Sequence, residues 1–415
     1  RWMFAFNISR IEMKVLLITQ YFYPENFKSN DIAFELVKRG YEVDALVGIP
    51  NYPEGQIYNG YGLFKKRREN VKGVNVYRSF QIPRGKGGGL RLMINYLSFV
   101  FSSCFNVFFY FAWRNYDAVI VHEVSPIFQA YPAILLRKLR KVPVYLWVLD
   151  IWPDAMMSGG GIKNRKILSF VNRLVVNIYG QCDRILISSK RFTESILSKG
   201  DFVDKIKYFP NWSDDLLKVD SEYPIPQLPD GFKIMLAGNL GRSQNLDAVV
   251  QLILSLRDIK DLKWIFIGNG SEKEWLDNFI EANKLSDVAF TLGRFPLEAM
   301  PGFFKKANAL LVTLRSGFPH LGMVVPARLQ AYMSAGRPVL AMIGNGGADV
   351  IKEANCGYAV PAGDYEALAT IIRNNVLVNK EAFETLGYNG RCYFEREFQK
   401  DICIDNLCRI LKEDF

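Results

Sequence analysis

Histidine is nearly missing from this chain of 415 residues: there are 2, His122 and His320, far apart and without spaced partners. Neither a DxD segment nor a CxxC pair accompanies them, so the sequence offers no metal-ligand cluster. The expectation is chemistry without metal or cofactor. The 6 cysteines are scattered irregularly, which argues against a disulfide framework and fits a reducing compartment. A GxGxxG turn is also missing after the first apolar strand. Its place is taken by Thr19-Gln20-Tyr21-Phe22-Tyr23-Pro24, too bulky for the close backbone approach of a dinucleotide pyrophosphate. A dehydrogenase is therefore disfavoured. Arg1–Glu12 lacks a long apolar core and a small-residue cleavage site, so it does not read as a secretory signal, and Met13 is the expected native start.

What the chain does have is a length that suggests two domains and a balance of 49% hydrophobic to 23% charged residues, typical of a globular protein. Short apolar runs alternate with helical patterns. The first series of strands is Lys14–Thr19, Glu42–Val47, Val74–Phe80, Asp117–Val121, Val144–Val148 and Arg184–Ser188. The second is Lys233–Ala237, Leu262–Ile267, Val288–Leu292, Ala309–Leu314, Pro338–Met342 and Gly357–Val360. Buried strands separated by helices form parallel sheets covered on both faces. The expected class is α/β, with a Rossmann-like domain over 1–210, a Pro-containing linker over 211–231, a second Rossmann-like domain over 232–379 and a helical segment over 380–415 that packs back toward the first domain. Two such domains would face each other across a cleft, with ligands beyond the carboxyl ends of the strands.

Charge is divided unevenly. Residues 1–210 hold 30 Lys+Arg against 16 Asp+Glu, and residues 211–415 hold 22 against 26. The basic half includes Lys65-Lys-Arg-Arg68, Arg84, Lys86 and Arg137–Lys141, close in sequence to Met93–Trp113, an apolar stretch without a charged residue. By length this stretch could cross a bilayer. Yet Arg91, Asn95, Ser98, Ser102 and Asn106 recur at helical spacing and mark one polar face. A crossing would also separate strands that belong to one sheet. A buried domain helix and a helix lying in the lipid interface remain, and the surplus of cations favours the interface. An anionic membrane surface is the expected partner; nucleic acid would not require an aromatic helix beside the positive charge.

Loops after the strands of the second series carry Gly and Arg together. Ala237-Gly238-Asn239-Leu240-Gly241-Arg242-Ser243-Gln244-Asn245 joins strand to helix and offers amides, a helix N-terminus and a guanidinium, suited to a diphosphate. Gly268-Asn269-Gly270, Gly293-Arg294 and Arg315-Ser316-Gly317 follow at successive strand ends. Tight turns account for the glycines but not for the arginines.

The fragments Asn239–Asn245, Gly268–Gly270, Gly293-Arg294 and Tyr332-Met-Ser-Ala-Gly-Arg-Pro-Val339 resemble the nucleotide-sugar domain of retaining GT-B glycosyltransferases, the family of bacterial mannosyltransferases and sucrose synthase. Asp150-Ile-Trp-Pro153 is similar to a turn in the branch of L-fucosamine transferases of surface-polysaccharide assembly. The resemblance implies transfer of a sugar from a nucleotide-sugar donor, UDP-linked and in one option N-acetylated, to a polyprenyl-diphosphate-linked acceptor at the cytoplasmic face of the membrane. It also puts Met323 and Ala331 where the family has two glutamates, Asn239 and Gln244 where it has the diphosphate-holding Arg and Lys, and Leu149 where it has a His. Arg242 is then the expected substitute, with Arg328 and Arg315 as helpers. Gly241 completes the diphosphate site, and Gly268, Asn269, Gly293, Arg294, Arg315 and His320 are candidates for nucleotide and sugar. Asp150 closes the apolar strand Val144–Leu149 and is the first candidate catalytic carboxylate, ahead of His122 and Glu123. Two other readings stand beside transfer: a nucleotide-sugar 2-epimerase of the same fold, and a non-catalytic protein that binds a nucleotide sugar or scaffolds an assembly at the membrane.

Overall fold

A computed structural model describes residues 13–159, 162, 164–219, 222–317 and 319–414. The reading of Arg1–Glu12 lies outside them. The chain divides into two compact units. One comprises the chain up to Ser188, Phe192–Phe209 and Ile404–Phe415; the other comprises Ser189–Arg191 and Pro210–Cys403.

The first unit contains β1 (Lys14–Thr19), β2 (Glu42–Val47), β3 (Arg68–Val71), β4 (Val74–Arg78), β5 (Ala118–Glu123), β6 (Val144–Val148), β7 (Arg184–Ile187) and β8 (Ile206–Tyr208). They form one sheet in the order β3-β4-β2-β1-β5-β6-β7-β8. Its helices are α1 (Lys28–Lys38), α2 (Gly89–Phe109), α3 (Tyr131–Arg140), α4 (Asp154–Gly159), α5 (Arg165–Gln181) and α6 (Phe192–Leu197). Central strands are buried throughout, as apolar runs covered on both faces must be. The sheet departs from the expected all-parallel form at one edge. β3 pairs with β4 antiparallel through a turn at Lys72-Gly73, both at positive φ. Its sequence, Arg-Glu-Asn-Val, alternates between exposed and half-buried residues and lacks the apolar signal of the inner strands.

The second unit contains β9 (Phe232–Ala237), β10 (Leu262–Ile267), β11 (Ala289–Thr291), β12 (Ala309–Thr313), β13 (Val339–Met342) and β14 (Gly357–Val360), a wholly parallel sheet in the order β11-β10-β9-β12-β13-β14. Its helices are α7 (Leu246–Ser255), α8 (Lys273–Ala282), α9 (Met300–Lys306), α10 (Pro319–Met323), α11 (Ala327–Ser334), α12 (Asn345–Ala354), α13 (Tyr365–Ile371) and α14 (Lys380–Glu397). Alternate residues of β9 and β10 serve two cores. Ile234, Leu236, Trp264 and Phe266 pack on one face, and Met235, Ala237, Ile265 and Ile267 on the other. Residues 211–219 and 222–231, expected as a linker, belong to this unit.

The last helix, α15 (Lys400–Glu413), starts in the second unit and ends in the first. Its later part buries Ile404, Leu407, Ile410 and Leu411. Tyr145 donates to Asp414 at 2.8 Å and Arg39 to Asp405 at 2.8 Å, so the chain's end is fastened to β6 and α1.

Candidate functional site

In the second unit, strand ends and glycines build a concave rim. β9 stops at Ala237 because Gly238 turns the chain at φ 119°, and β10 stops at Gly268 at φ 144°. The two turns touch. A Cβ on Gly268 would lie 1.8 Å from the carbonyl oxygen of Gly238, so only glycine allows the approach. The Gly238 amide donates to Ile267 (2.8 Å), the Gly268 amide to Gly293 (2.7 Å) and the Leu240 amide to Asn269 (2.9 Å), which stitches three loops together. Between them lies a cavity of about 360 Å³ lined by Gly238, Asn239, Gly268, Asn269, Arg294 and Phe295, among others. Five residues singled out in the sequence thus meet in one hollow: Gly238, Asn239, Gly268, Asn269 and Arg294. Gly293 lies at its edge through the bond to Gly268.

The arginines divide differently from expectation. Arg242 is 83% exposed and stands 3.5 Å from Glu272, outside the residues that line the cavity. Arg315 pairs with Asp247 at 3.1 Å, on the side of α7. Arg328, on α11, donates to Gln244 at 2.7 Å and to the Asn239 carbonyl at 3.1 Å, with its guanidinium beside Gly238. Neither Arg242 nor Arg328 lines the cavity, but Arg328 is held against the Gly238-Asn239 turn that does. Gly241 is buried beneath the loop, behind Asn239. α7 begins at Asn245 in the left-handed conformation with no side-chain cap, which leaves its first amides open.

Other predicted positions of this unit lie around α10 to α12. His320 is buried on the short helix α10, Met323 ends that helix, and Ala331 sits on α11. Sequence reasoning passed over Gly346, at the start of α12. A Cβ there would fall 2.1 Å from the Met323 carbonyl, so α12 can meet α10 only through a residue without a side chain.

At the carboxyl edge of the first sheet, Asp150 is half-buried in the turn after β6 and accepts a hydrogen bond from Ser125 at 2.6 Å. Trp152 donates to the same hydroxyl at 3.3 Å. Glu123, fully buried, accepts from the Leu149 and Asp150 amides at 3.3 and 3.4 Å. Burial, with the Asp150 charge adding to it, pushes its carboxyl well above the ordinary range. Glu123 thus supports the turn that carries Asp150. His122 is 1% exposed, lies 3.3 Å from the Thr19 hydroxyl and packs on Trp147. Burial pushes its imidazole down to about 3, so it stays neutral and closed off from an acceptor, contrary to the expectation from its place after a strand.

Sequence reasoning also missed Glu25. Buried in the loop after β1, it accepts from the amides of Asn51 (2.8 Å), Tyr52 (2.7 Å) and Phe22 (3.3 Å), joining the loops of β1 and β2. Nothing in the sequence separates it from an exposed charge.

Helix α2 uses its polar stripe inward. Arg91 donates to the Pro83 carbonyl, Asn95 to Ile82, Ser102 to Phe80 and Asn106 to Ser79, while Ser98 accepts from the Ile82 amide. The five polar residues sew the helix to segment 79–83 beyond β4. The opposite face, with Leu90, Phe101, Phe105, Phe108 and Trp113, is exposed. Gly89–Trp113 is long and apolar enough to cross a membrane, and 28% of its most apolar part is buried. Part of the expected basic cluster has other work: Arg67 donates to the Arg78 carbonyl and Arg68 lies over the Tyr110 ring.

Among the described residues no group of three or more His, Cys, Asp or Glu is placed to hold a metal ion. Two α/β units, the second a wholly parallel sheet with a core on each face, glycine turns at its strand ends and a last helix that ends in the first unit are the marks of the GT-B class. Over 97% of its length the chain superposes on 98% of a sucrose-phosphate synthase from Thermosynechococcus elongatus, at TM-score 0.69 and 15% identity. It matches Anabaena HepE, solved in complex with UDP, at TM-score 0.67 and 15% identity over 97% of this chain and 100% of that one. Residues 224–392 match the family described as Glycosyl transferases group 1. A colanic acid biosynthesis glycosyl transferase of Escherichia coli (strain K12) is 26% identical over 342 residues, 78% of this chain and 82% of the relative. The chain carries a group 1 glycosyltransferase domain, and it is a glycosyltransferase of the GT-B fold.

Proposed function

We propose that the protein is a retaining glycosyltransferase of surface-polysaccharide assembly, which moves a sugar from a UDP-linked donor to a polyprenyl-diphosphate-linked acceptor at the inner face of the membrane. The hollow between the ends of β9, β10 and β11 carries this reading: three glycine turns open it, and a guanidinium fixes one wall. UDP in HepE and the role named for the Escherichia coli relative support the donor and the pathway class.

In this reaction the bond from the anomeric carbon to the diphosphate breaks while the acceptor hydroxyl attacks on the same face. Negative charge grows on the departing phosphate. Arg328, the Asn239 and Gly241 amides and the open start of α7 are the groups to stabilise it, each charged hydrogen bond contributing about 1.5–3 kcal/mol. Asn269, Arg294 and His320 would bear on the nucleotide and sugar. Asp150 would orient the acceptor hydroxyl, held in place by Ser125 and by the turn that Glu123 supports.

The test is UDP release from a panel of UDP-sugars, with and without a prenyl-diphosphate-linked sugar. Release that depends on the acceptor, lost in Asp150→Asn with an unchanged melt, supports transfer. Conversion of the sugar without acceptor would indicate an epimerase, and neither reaction would indicate a scaffold.

A further inference from the structure

A second hollow, of about 680 Å³, lies wholly within the first unit. Its walls are Leu97 and Phe101 of α2, Ile134 and Leu135 of α3, and Phe170 and Leu174 of α5. Among the described residues Lys138 is the one charged side chain that lines it. This size falls in the range of about 300–1,000 Å³ common to small-molecule sites, and its surface is almost entirely apolar. A cavity of this kind between helices accepts a chain, whereas the protruding rings of Phe105, Phe108 and Trp113, which do not line it, suit a flat apolar surface.

One wall leads to the acceptor carboxylate. Phe128 lines the groove and packs edge-on against Trp152, centroids 5.5 Å apart; Trp152 donates to Ser125, which donates to Asp150. Met156 lines the groove from α4, the helix that follows the Asp150 turn. Tyr96 precedes Leu97 on α2. Burial pushes its phenol up, while the Arg84 charge opposes this and the Asp150 charge adds to it. Arg84 packs over the Tyr52 ring, and no carboxylate pairs with it among the described residues. The apolar slot therefore adjoins, through Phe128 and Trp152, the turn that holds a carboxylate, matching the hydrocarbon and hydroxyl parts of an amphiphile.

We infer that this groove holds the hydrocarbon chain of the acceptor lipid, with its polar end toward Asp150. The inference rests on the lipid-linked acceptor proposed above and adds where the chain goes. Phe101, which lines the slot, also stands on the exposed face of α2, so bilayer phospholipid is the competing occupant that the experiment must separate.

Farnesyl diphosphate and isopentenyl diphosphate share a head and differ in chain length, so their affinities for the full chain isolate the groove. The longer ligand is expected to bind at least about tenfold more tightly. Leu135→Trp with Leu174→Trp should erase that preference and leave isopentenyl diphosphate and UDP binding as they were. Leu135→Phe alone, a smaller filling, should reduce it and serves if the double variant does not fold. Equal binding of the two ligands by the wild type, or a preference that survives filling, would overturn the groove. So would displacement of farnesyl diphosphate by phosphatidylglycerol vesicles. Transfer to a prenyl-linked sugar with equal affinities would sink only this inference, whereas a chain preference without transfer would sink the acceptor reading.

Discussion

The hydroxyl of Tyr332 is bonded to both main-chain groups of Ala237, accepting from its amide at 2.8 Å and donating to its carbonyl at 3.3 Å. Ala237 is the last residue of β9, and Gly238 after it opens the donor hollow. Tyr332 lies on α11 one turn beyond Arg328, so a single helix pins the strand end with one side chain and the following loop with the other. Tyr332→Phe keeps the ring against Phe304 but leaves the buried Ala237 amide without its partner. A loss of about 1–3 kcal/mol is expected in urea unfolding, together with weaker UDP binding by calorimetry.

Exchange of arginines separates the two candidates for the diphosphate. Arg328→Ala should weaken UDP binding by about 2 kcal/mol or more, since it removes a cation and frees the Asn239 loop. Arg328→Lys should recover only part of this, because an ammonium cannot reproduce the fork that reaches Gln244 and Asn239 at once. Arg242→Ala, on an exposed side chain, should change binding by less than about 0.5 kcal/mol. An effect of Arg242→Ala equal to that of Arg328→Ala would restore the loop arginine to the site.

Those two arginines also show what could be read from the chain alone. Arg242 drew attention because it stands beside Gly241 in sequence, whereas Arg328 meets Gln244 across a separation of 84 residues that only the sheet's closure brings together. The glycines at strand ends were legible because a turn needs them wherever the fold puts it. The polar stripe of α2 was legible too, since helical spacing alone places Asn95, Ser98, Ser102 and Asn106 on one side. The edge strand β3 was hidden by its charges, and β8 by its length of 3 residues. His122 and Glu123 follow an apolar run as a catalytic pair would, but they are the last residues of β5 itself, paired with Trp147 and Val148 of β6, and burial of the strand end decided their surroundings.

Glu25 should leave a mark on stability against pH. Burial, partly offset by amide bonds from Tyr52, Asn51 and Phe22 and by Arg78, pushes its carboxyl up to about 7. The folded state therefore favours the protonated form. Stability contributed by this group is fully present below the ordinary carboxylate range, declines as pH rises toward about 7 and is level above. The total change is on the order of 3 kcal/mol. In Glu25→Gln, which cannot ionise, this decline should vanish from urea midpoints measured between about pH 4 and 8. An unchanged slope would mean that Glu25 is charged throughout.

The outward face of α2 is the last place where the geometry makes a measurable demand. Phe105 and Phe108 are 63% and 51% exposed, and the polar stripe on the far side already satisfies its hydrogen bonds, so these rings are not needed to hold the helix. Burying a Phe side chain in an apolar medium yields about 1.5–3 kcal/mol. Phe105→Ser with Phe108→Ser should therefore leave the thermal melt within a few degrees of wild type yet cut vesicle flotation by at least about a hundredfold in affinity. Lys138, which shares a groove with Phe101, would contribute about 1 kcal/mol on an anionic leaflet, and high salt should screen that part but spare the aromatic part. Flotation equal on neutral and anionic vesicles, and untouched by the double substitution, would remove α2 from any membrane contact.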